Sequence, residues 1–235
     1  MRIYILACFL CVCLTASGTE KTLLFQDSFD RDEPQAEKEQ IGNGWTSNSV
    51  SRAGGNKQVD LRDNTLHIKM HATADHAVSV KHDAEFKNGI VELRFMLEHP
   101  QDVLGLNFAD LKLKSVHAGH LFKVDIGTRK TTIADLKTGV MDLKTRELRL
   151  AKKVSPQLLA ELATKRTTVP HPLKTSTWYS LTVSIAGDKL DVVIDDKAVA
   201  SFQSPGIEHP TKRTLRISVP KEVVIDDLQV FAVTD

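Results

Sequence analysis

Cysteine is nearly absent from this sequence. The three cysteines are Cys8, Cys11 and Cys13, and all lie within the first 13 residues. Beyond residue 18 the chain can therefore form neither a disulfide nor a cysteine-ligated metal site. A domain without such crosslinks has to be stabilised by its own hydrophobic core, and residues 19–235 are numerous enough to bury one.

An excess of charge of either sign is also absent. Lysine and arginine number 31 against 30 aspartates and glutamates, for a formal net charge of +1. Such a balance supplies no electrostatic drive towards nucleic acid or an anionic membrane, so we expect neither as a partner. Low-complexity tracts and internal repeats are lacking too, and we therefore expect residues 19–235 to form a single domain.

A long hydrophobic run occurs only at the start of the chain. Residues 3–14 are apolar, but this run is too short to cross a bilayer core of roughly 30 Å. Arg2 precedes the run, and Ala16-Ser17-Gly18 resembles a cleavage site. These features predict a signal peptide over residues 1–18, a periplasmic or secreted location and no membrane anchor.

Most of the remaining chain alternates apolar with polar residues at a period of two. In residues 178–202, three such runs are separated by turn sequences at Gly187 and at Asp195-Asp196, a pattern that predicts a three-stranded meander with one buried face. The longest predicted strand covers residues 90–97. Several more short strands separated by turns favour an all-β antiparallel sandwich or barrel.

One stretch, about residues 141–166, departs from this pattern and predicts a short helical insertion. Ser155-Pro156 is a helix start signal, and Leu158, Leu159 and Leu162 follow at helical spacing. We expect this leucine stripe to pack on the sandwich. A docking surface for a partner is the alternative interpretation.

Seven segments follow one another along the chain in a recognisable order: residues 24–27, Gly44-Trp45, residues 89–95, residues 105–107, residues 119–126, Trp178-Tyr179 and residues 224–230. In this order they resemble the concanavalin-A-like jelly rolls, and especially the 3-keto-disaccharide hydrolase domain, a relative of the laminarinase-type glycoside hydrolases. The resemblance implies a jelly-roll sandwich, a carbohydrate partner and activity on 3-keto-type glycosides.

The sequence also departs from those families. The Glu-x-Asp-x-x-Glu motif of the laminarinase-type enzymes is absent, and Lys123 and Asp125 stand where the 3-keto family usually has Glu and Gln. Residues 210–216 replace a glycine-rich segment. Catalysis therefore stays open, and the alternatives are a non-catalytic glycan-binding module or a structural domain that docks through its helical insertion.

Four charged residues are candidates for a sugar-binding face. Glu92 and Arg94 share the non-core side of one predicted strand, and Lys123 and Asp125 share that of another. If these strands are neighbours, all four side chains meet on one sheet face, where they could hydrogen-bond hydroxyl groups. A cross-strand ladder of surface ion pairs is an equally good interpretation.

Histidines are the candidate acid–base groups. His117 and His120 precede the strand that carries Asp125, and we expect one of them to work with Asp125 or Glu92. Together with Asp110 the pair could instead hold a divalent metal, although an ordinary surface pair is the commoner explanation.

Other candidates are an aromatic platform, an amide and a calcium site. Trp45 is the expected sugar platform, whereas Trp178 should be buried in a core strand. Asn107 completes the predicted substrate-binding set. Asp27 and Asp226 lie where the ends of such jelly rolls meet and could hold a structural calcium, the single cofactor that the sequence suggests. A turn-capping or edge-charge role is an equally good interpretation.

Overall fold

The computed structural model describes residues 20–234, so the predicted signal peptide lies outside the described residues. Within them the chain forms fifteen strands in two antiparallel sheets. The strands are β1 (Glu20–Asp27), β2 (Thr46–Ser47), β3 (Val59–Arg62), β4 (Thr65–Lys69), β5 (Val78–Phe86), β6 (Asn88–Met96), β7 (Val103–Ala109), β8 (His120–Gly127), β9 (Lys130–Asp135), β10 (Arg166–Pro170), β11 (Trp178–Ala186), β12 (Lys189–Ile194), β13 (Lys197–Gln203), β14 (Lys212–Val219) and β15 (Glu222–Thr234).

The two sheets stack into a sandwich. The first sheet has the order β13-β12-β11-β6-β15-β4-β3, with β1 also paired to β15, and the second has the order β10-β9-β8-β7-β14-β5-β2. Alternate residues of the strands fill the space between the sheets. In β6, for example, Val91, Leu93 and Phe95 are buried, while the residues between them face outwards. The all-β sandwich predicted from the alternation is therefore confirmed.

Local turn chemistry sets the meander β11-β12-β13. Gly187 between the first two strands has a φ of 57°, and Asp195 and Asp196 between the next two have φ values of 46° and 59°. Two consecutive positive φ values define the turn that matches the twist of a β-hairpin, and Asp tolerates this conformation. The predicted meander is confirmed in position and in pairing.

The helical insertion is also confirmed. After the four-residue α1 (Ser49–Arg52), the helices are α2 (Leu143–Leu150) and α3 (Pro156–Thr164). The Ser155 hydroxyl accepts a hydrogen bond from the backbone N–H of Leu158 at 3.1 Å and so caps α3.

The leucine stripe of α3 packs only in part. Leu158 and Leu162 are half-buried, but Leu159 is 58% exposed, and neither α2 nor α3 contains a fully buried residue. None of the helices within residues 20–234 combines the length and the apolarity that a membrane span requires.

Candidate functional site

The four charged residues expected on one face lie on two different sheets, so this prediction is wrong. Glu92 and Arg94 are in β6 of the first sheet, whereas Lys123 and Asp125 are in β8 of the second. Since the two outer faces of a sandwich point in opposite directions, these pairs cannot line one groove. Glu92 instead forms an ion pair with Lys21 at 3.0 Å.

Arg94 belongs to a separate cluster on the outer face of the first sheet. Its guanidinium donates a hydrogen bond to Asp226 at 3.0 Å and lies 4.8 Å from the ring centroid of Trp178. Trp178 is half-buried rather than buried as expected, because its ring covers the sheet surface. Burial raises the pKa of Asp226, and the neighbouring charge of Asp227 raises it further.

Trp45 is not a sugar platform. Its side chain is 6% exposed, and its indole N–H donates to the carboxylate of Asp27 at 2.9 Å. The same carboxylate accepts two hydrogen bonds from Arg31, at 2.6 and 2.9 Å, and one from the backbone N–H of Phe29. These donors occupy the oxygen lone pairs that a cation would need.

The described residues therefore do not fit the calcium site implied by the resemblance. Asp27 is satisfied by Arg31 and Trp45, and Asp226 is held by Arg94. Between residues 20 and 234, moreover, no group of three or more His, Cys, Asp or Glu side chains is arranged to hold a metal ion.

The histidine pair does not form a metal site with Asp110. The Asp110 carboxylate is bound by His209 at 3.0 Å and by Arg213 at 2.8 Å. His117 is exposed, and its ring centroid lies 6.5 Å from that of His120. The two rings therefore have different surroundings, and only His120 is on a strand.

A polar face with a defined register lies on the outside of the second sheet. Residues directly opposite one another on neighbouring antiparallel strands point to the same side of a sheet. The alternate residues of these strands, such as Leu106, Val124 and Ile217, are fully buried between the sheets. One continuous row of register partners, which we name the central row, runs across β5, β14, β7, β8, β9 and β10 and consists of Lys81, Arg216, Asn107, Lys123, Ala134 and Arg166.

Three residues at the middle of this face form a hydrogen-bonded cluster. The Asn107 side-chain oxygen lies 3.0 Å from Nδ1 of His120, and an Arg216 nitrogen lies 3.4 Å from the same ring. Arg216 also donates to the carbonyl of Ala118 at 2.9 Å. Although they face outwards, Asn107 is only 7% exposed and Arg216 only 9%. The cluster is therefore partly covered and preorganised.

The electrostatic surroundings keep His120 neutral at physiological pH. Burial lowers the pKa of His120 to about 4, and the nearby positive charges of Arg216, His117 and Lys123 act in the same direction. A neutral imidazole both donates and accepts one hydrogen bond, which suits it to contacts with hydroxyl groups.

The predicted pairing of His120 with Asp125 is wrong, as is its pairing with Glu92. Asp125 lies five residues further along β8, about 16 Å at the rise of a β-strand, and its carboxylate pairs with Lys123 at 2.5 Å. Glu92 is on the other sheet. His120 thus has Asn107 and Arg216, and no carboxylate, as its closest polar partners.

Three residues of this face, Arg216, Lys81 and Arg166, are not among the site residues predicted from the sequence. A signal for Arg216 was present, because Thr214, Arg216 and Ser218 alternate with buried apolar residues in β14. That alternation predicts that the arginine faces outwards, but its proximity to His120 follows from the pairing of β14 with β7.

Several enzymes of solved structure share this fold. The laminarinase from Rhodothermus marinus superposes with a TM-score of 0.60 at 10% identity, over 92% of this chain and 99% of that one. The endo-β-1,3-glucanase from Pyrococcus furiosus gives a TM-score of 0.53 at 13% identity, over 93% and 97%. A GlcNAcα1-4Gal-releasing endo-β-galactosidase from Clostridium perfringens gives 0.59 at 10% identity, over 90% of this chain and 62% of that one.

Sequence comparison adds nothing to these structural likenesses. No protein-family model matches the chain, and no curated protein matches it. The resemblance to the 3-keto-disaccharide hydrolase domain therefore stays a prediction. At these identities the structural likenesses establish the fold alone, and they confirm the concanavalin-A-like jelly roll that the order of segments predicted.

Proposed function

We propose that this chain is an exported carbohydrate-binding protein whose binding face is the outer side of the second sheet. The observation that carries the proposal is the cluster of Asn107, His120 and Arg216, three polar side chains held in fixed positions on an outward-facing surface. The jelly-roll fold, which also occurs in the laminarinase and glucanase described above, is consistent with it.

The chemistry of the cluster suits sugar hydroxyls. An amide, a neutral imidazole and a guanidinium together supply directional donors and acceptors, and charged donors form the stronger hydrogen bonds.

The arrangement favours binding over ordinary glycoside hydrolysis. Glycosidases generally use two carboxylates on either side of the scissile bond. On the outward positions of β14, β7 and β8 the one carboxylate is Asp125, and it is paired with Lys123.

Binding can be tested on an array of native and 3-keto glycans. We expect wild-type protein to bind and Asn107→Ala to bind about 2- to 10-fold more weakly, since one hydrogen bond contributes about 0.5–1.5 kcal/mol. Thr182→Ala, on the outer face of the first sheet, is the matched control and should bind like wild type. Equal binding by all three proteins would contradict the proposed face.

Hydrolysis of 3-keto-type glycosides is the second candidate function. It is favoured by the position of His120 on the outward face beside Asn107, although a pKa of about 4 makes the ring a weak base at pH 7. General acid–base help contributes about 10²–10⁴-fold in rate, so His120→Ala should lose that much product release while keeping its fold. Equal release by wild type and variant would eliminate this candidate and leave the binding function standing.

Export is a separate part of the proposal. It is supported by the charged residue, apolar run and small-residue site within residues 1–18. N-terminal sequencing of protein recovered outside the cytoplasm should begin near Thr19. A recovered chain that still starts at Met1 would contradict cleavage at this site.

A further inference from the structure

Cations occupy four of the six positions of the central row. They are Lys81, Arg216, Lys123 and Arg166, and the row contains no acidic residue. Lys81 and Arg216 are direct register partners. Like charges directly opposite each other on neighbouring strands destabilise a sheet, so the fold tolerates a local electrostatic cost here.

Most of this charge has no anionic partner in the protein. Lys123 pairs with Asp125 at 2.5 Å, but within residues 20–234 no salt bridge reaches Lys81, Arg166 or Arg216. Arg216 contacts only a carbonyl and the neutral His120. On the same face of β5, Asp83 lies two residues from Lys81, and Glu85 lies two residues beyond Asp83.

The geometry of the row fits an extended ligand. Neighbouring strands are about 4.8 Å apart, so the five intervals from β5 to β10 span about 24 Å. A linear chain lying across the strands would pass over Lys81, then Arg216 and Asn107, then Lys123 and finally Arg166. The low pKa of His120 is a separate sign of positive potential, since charges on this face contribute to it after burial.

We propose that the central row selects an anionic polysaccharide, one that carries uronate carboxylates or sulfates, and holds it across the strands of the second sheet. This inference rests on the proposed carbohydrate-binding function and specifies its ligand class. A nucleic acid is a less suitable polyanion, because the row offers no aromatic side chain on which bases could stack.

The main comparison is between the charged and the uncharged form of one oligosaccharide. Binding of hexagalacturonate and of its fully methyl-esterified form is measured by calorimetry at low and at moderate salt, with a sulfated dextran oligosaccharide and a single-stranded DNA oligonucleotide as further probes. Lys81→Gln, Arg166→Gln and the double variant remove the charges at the two ends of the row, where Lys81 is half-buried and Arg166 is exposed. Lys189→Gln is the matched control, because Lys189 is exposed on the first sheet and pairs with Asp191.

We expect hexagalacturonate to bind at least tenfold more tightly than its ester and to weaken as salt rises. Each single variant should lose about 2- to 5-fold in affinity, as is typical of exposed charge contacts, and the double variant should lose more. Lys189→Gln should bind like wild type. Binding of the sulfated probe, with a similar loss in the variants, also supports the proposal, since sulfated chains belong to the proposed ligand class.

Other outcomes separate the ligand class from the proposed function. If the ester binds as tightly as the charged hexamer and Asn107→Ala weakens both, the face binds carbohydrate but the anionic class is wrong. If DNA binds as tightly as hexagalacturonate, the row is a general polyanion surface and the inference is overturned. If no saccharide binds here and the glycan array is also empty, the carbohydrate function itself fails.

Discussion

At the scale of single residues, His120 is a histidine with a strongly lowered pKa. Burial lowers its pKa to about 4, and the charges of Arg216, His117 and Lys123 contribute after burial. Because the pKa in the folded state lies below the usual value of about 6.5, protonation favours the unfolded chain. His120 therefore makes the protein less stable as pH falls from about 6.5 to 4.

We expect the imidazole signals of His120 to titrate in NMR with a midpoint near pH 4. His117→Asn removes one of the nearby titratable charges, so it should raise this midpoint. His99→Asn is the control, since His99 is exposed and is not among the charges that act on His120. A midpoint near 6.5 would mean that the ring is solvated, and it would contradict the partly covered cluster described here.

Asp27 links the end of β1 to the residues that follow it, through hydrogen bonds from Phe29, Arg31 and Trp45. Burial by itself would raise its pKa, but hydrogen bonds from Arg31, Phe29 and Trp45, together with the Arg31 charge, lower it below the usual value. A depressed carboxyl pKa contributes stability above the unfolded value of about 3.9, and this contribution is lost as pH falls through the folded value.

Asp27→Asn should therefore lower the free energy of unfolding at pH 7 by about 1.5–3 kcal/mol, the usual contribution of hydrogen bonds to a charged group. The measurement is urea denaturation of both proteins at pH 7 and at several lower pH values. The difference between them should shrink as pH falls through the lowered pKa of Asp27, because the wild-type carboxyl then takes up a proton. A difference independent of pH would show that the charge of Asp27 is not what stabilises the site.

At the scale of elements, β6 is the strand that joins the two halves of the first sheet. It pairs with β11 on one side and with β15 on the other. Leu93 points into the core from the middle of β6 and is 3% exposed, whereas Glu92 beside it points outwards. The two faces of this strand should therefore respond very differently to substitution.

We expect Leu93→Ala to lower the free energy of unfolding by about 2–5 kcal/mol, because it removes buried methyl groups and leaves a cavity. Glu92→Gln on the same strand is the matched control, and it should cost at most about 1 kcal/mol, since its partner Lys21 is half-exposed. Thermal and urea unfolding measure both. Comparable losses would mean that the core does not lie on the Leu93 side of β6.

At the scale of the whole molecule, a buried cation makes stability depend on pH in the alkaline range. Lys212 is fully buried at the start of β14, where its ammonium donates to the carbonyls of Lys87 and His209. Burial lowers its pKa to about 8, with the charges of Lys137 and Lys87 adding to the effect. The folded protein therefore releases this proton before the unfolded chain does.

Because the unfolded lysine keeps its proton up to about pH 10.4, Lys212 should make the protein more stable as pH rises from about 8 to 10. In Lys212→Met this component disappears. The free energies of unfolding of wild type and variant are measured at pH 7, 8.5 and 10. As pH rises, the free energy of unfolding of wild type should increase relative to that of the variant. A constant gap would contradict the lowered pKa.

The local features of this protein follow from its sequence. Alternation with a period of two identified the inward residues of β6, β8 and β11, because successive side chains on a strand point to opposite faces. Turn chemistry located the hairpin at Asp195-Asp196, and the Ser155-Pro156 signal located the start of α3. Each of these features depends on residues that are close together in the chain.

Which of these elements are neighbours depends on the packing of the whole molecule and cannot be read from any one segment. Glu92 and Lys123 have the same outward parity, yet the pairing of strands places them on opposite sides of the sandwich. Trp45 is buried because its indole reaches Asp27, which no local pattern indicates. The central row exists because β5, β14 and β7 to β10 pair in one particular register, and the register of strands distant in the chain is set by the packing of the whole core.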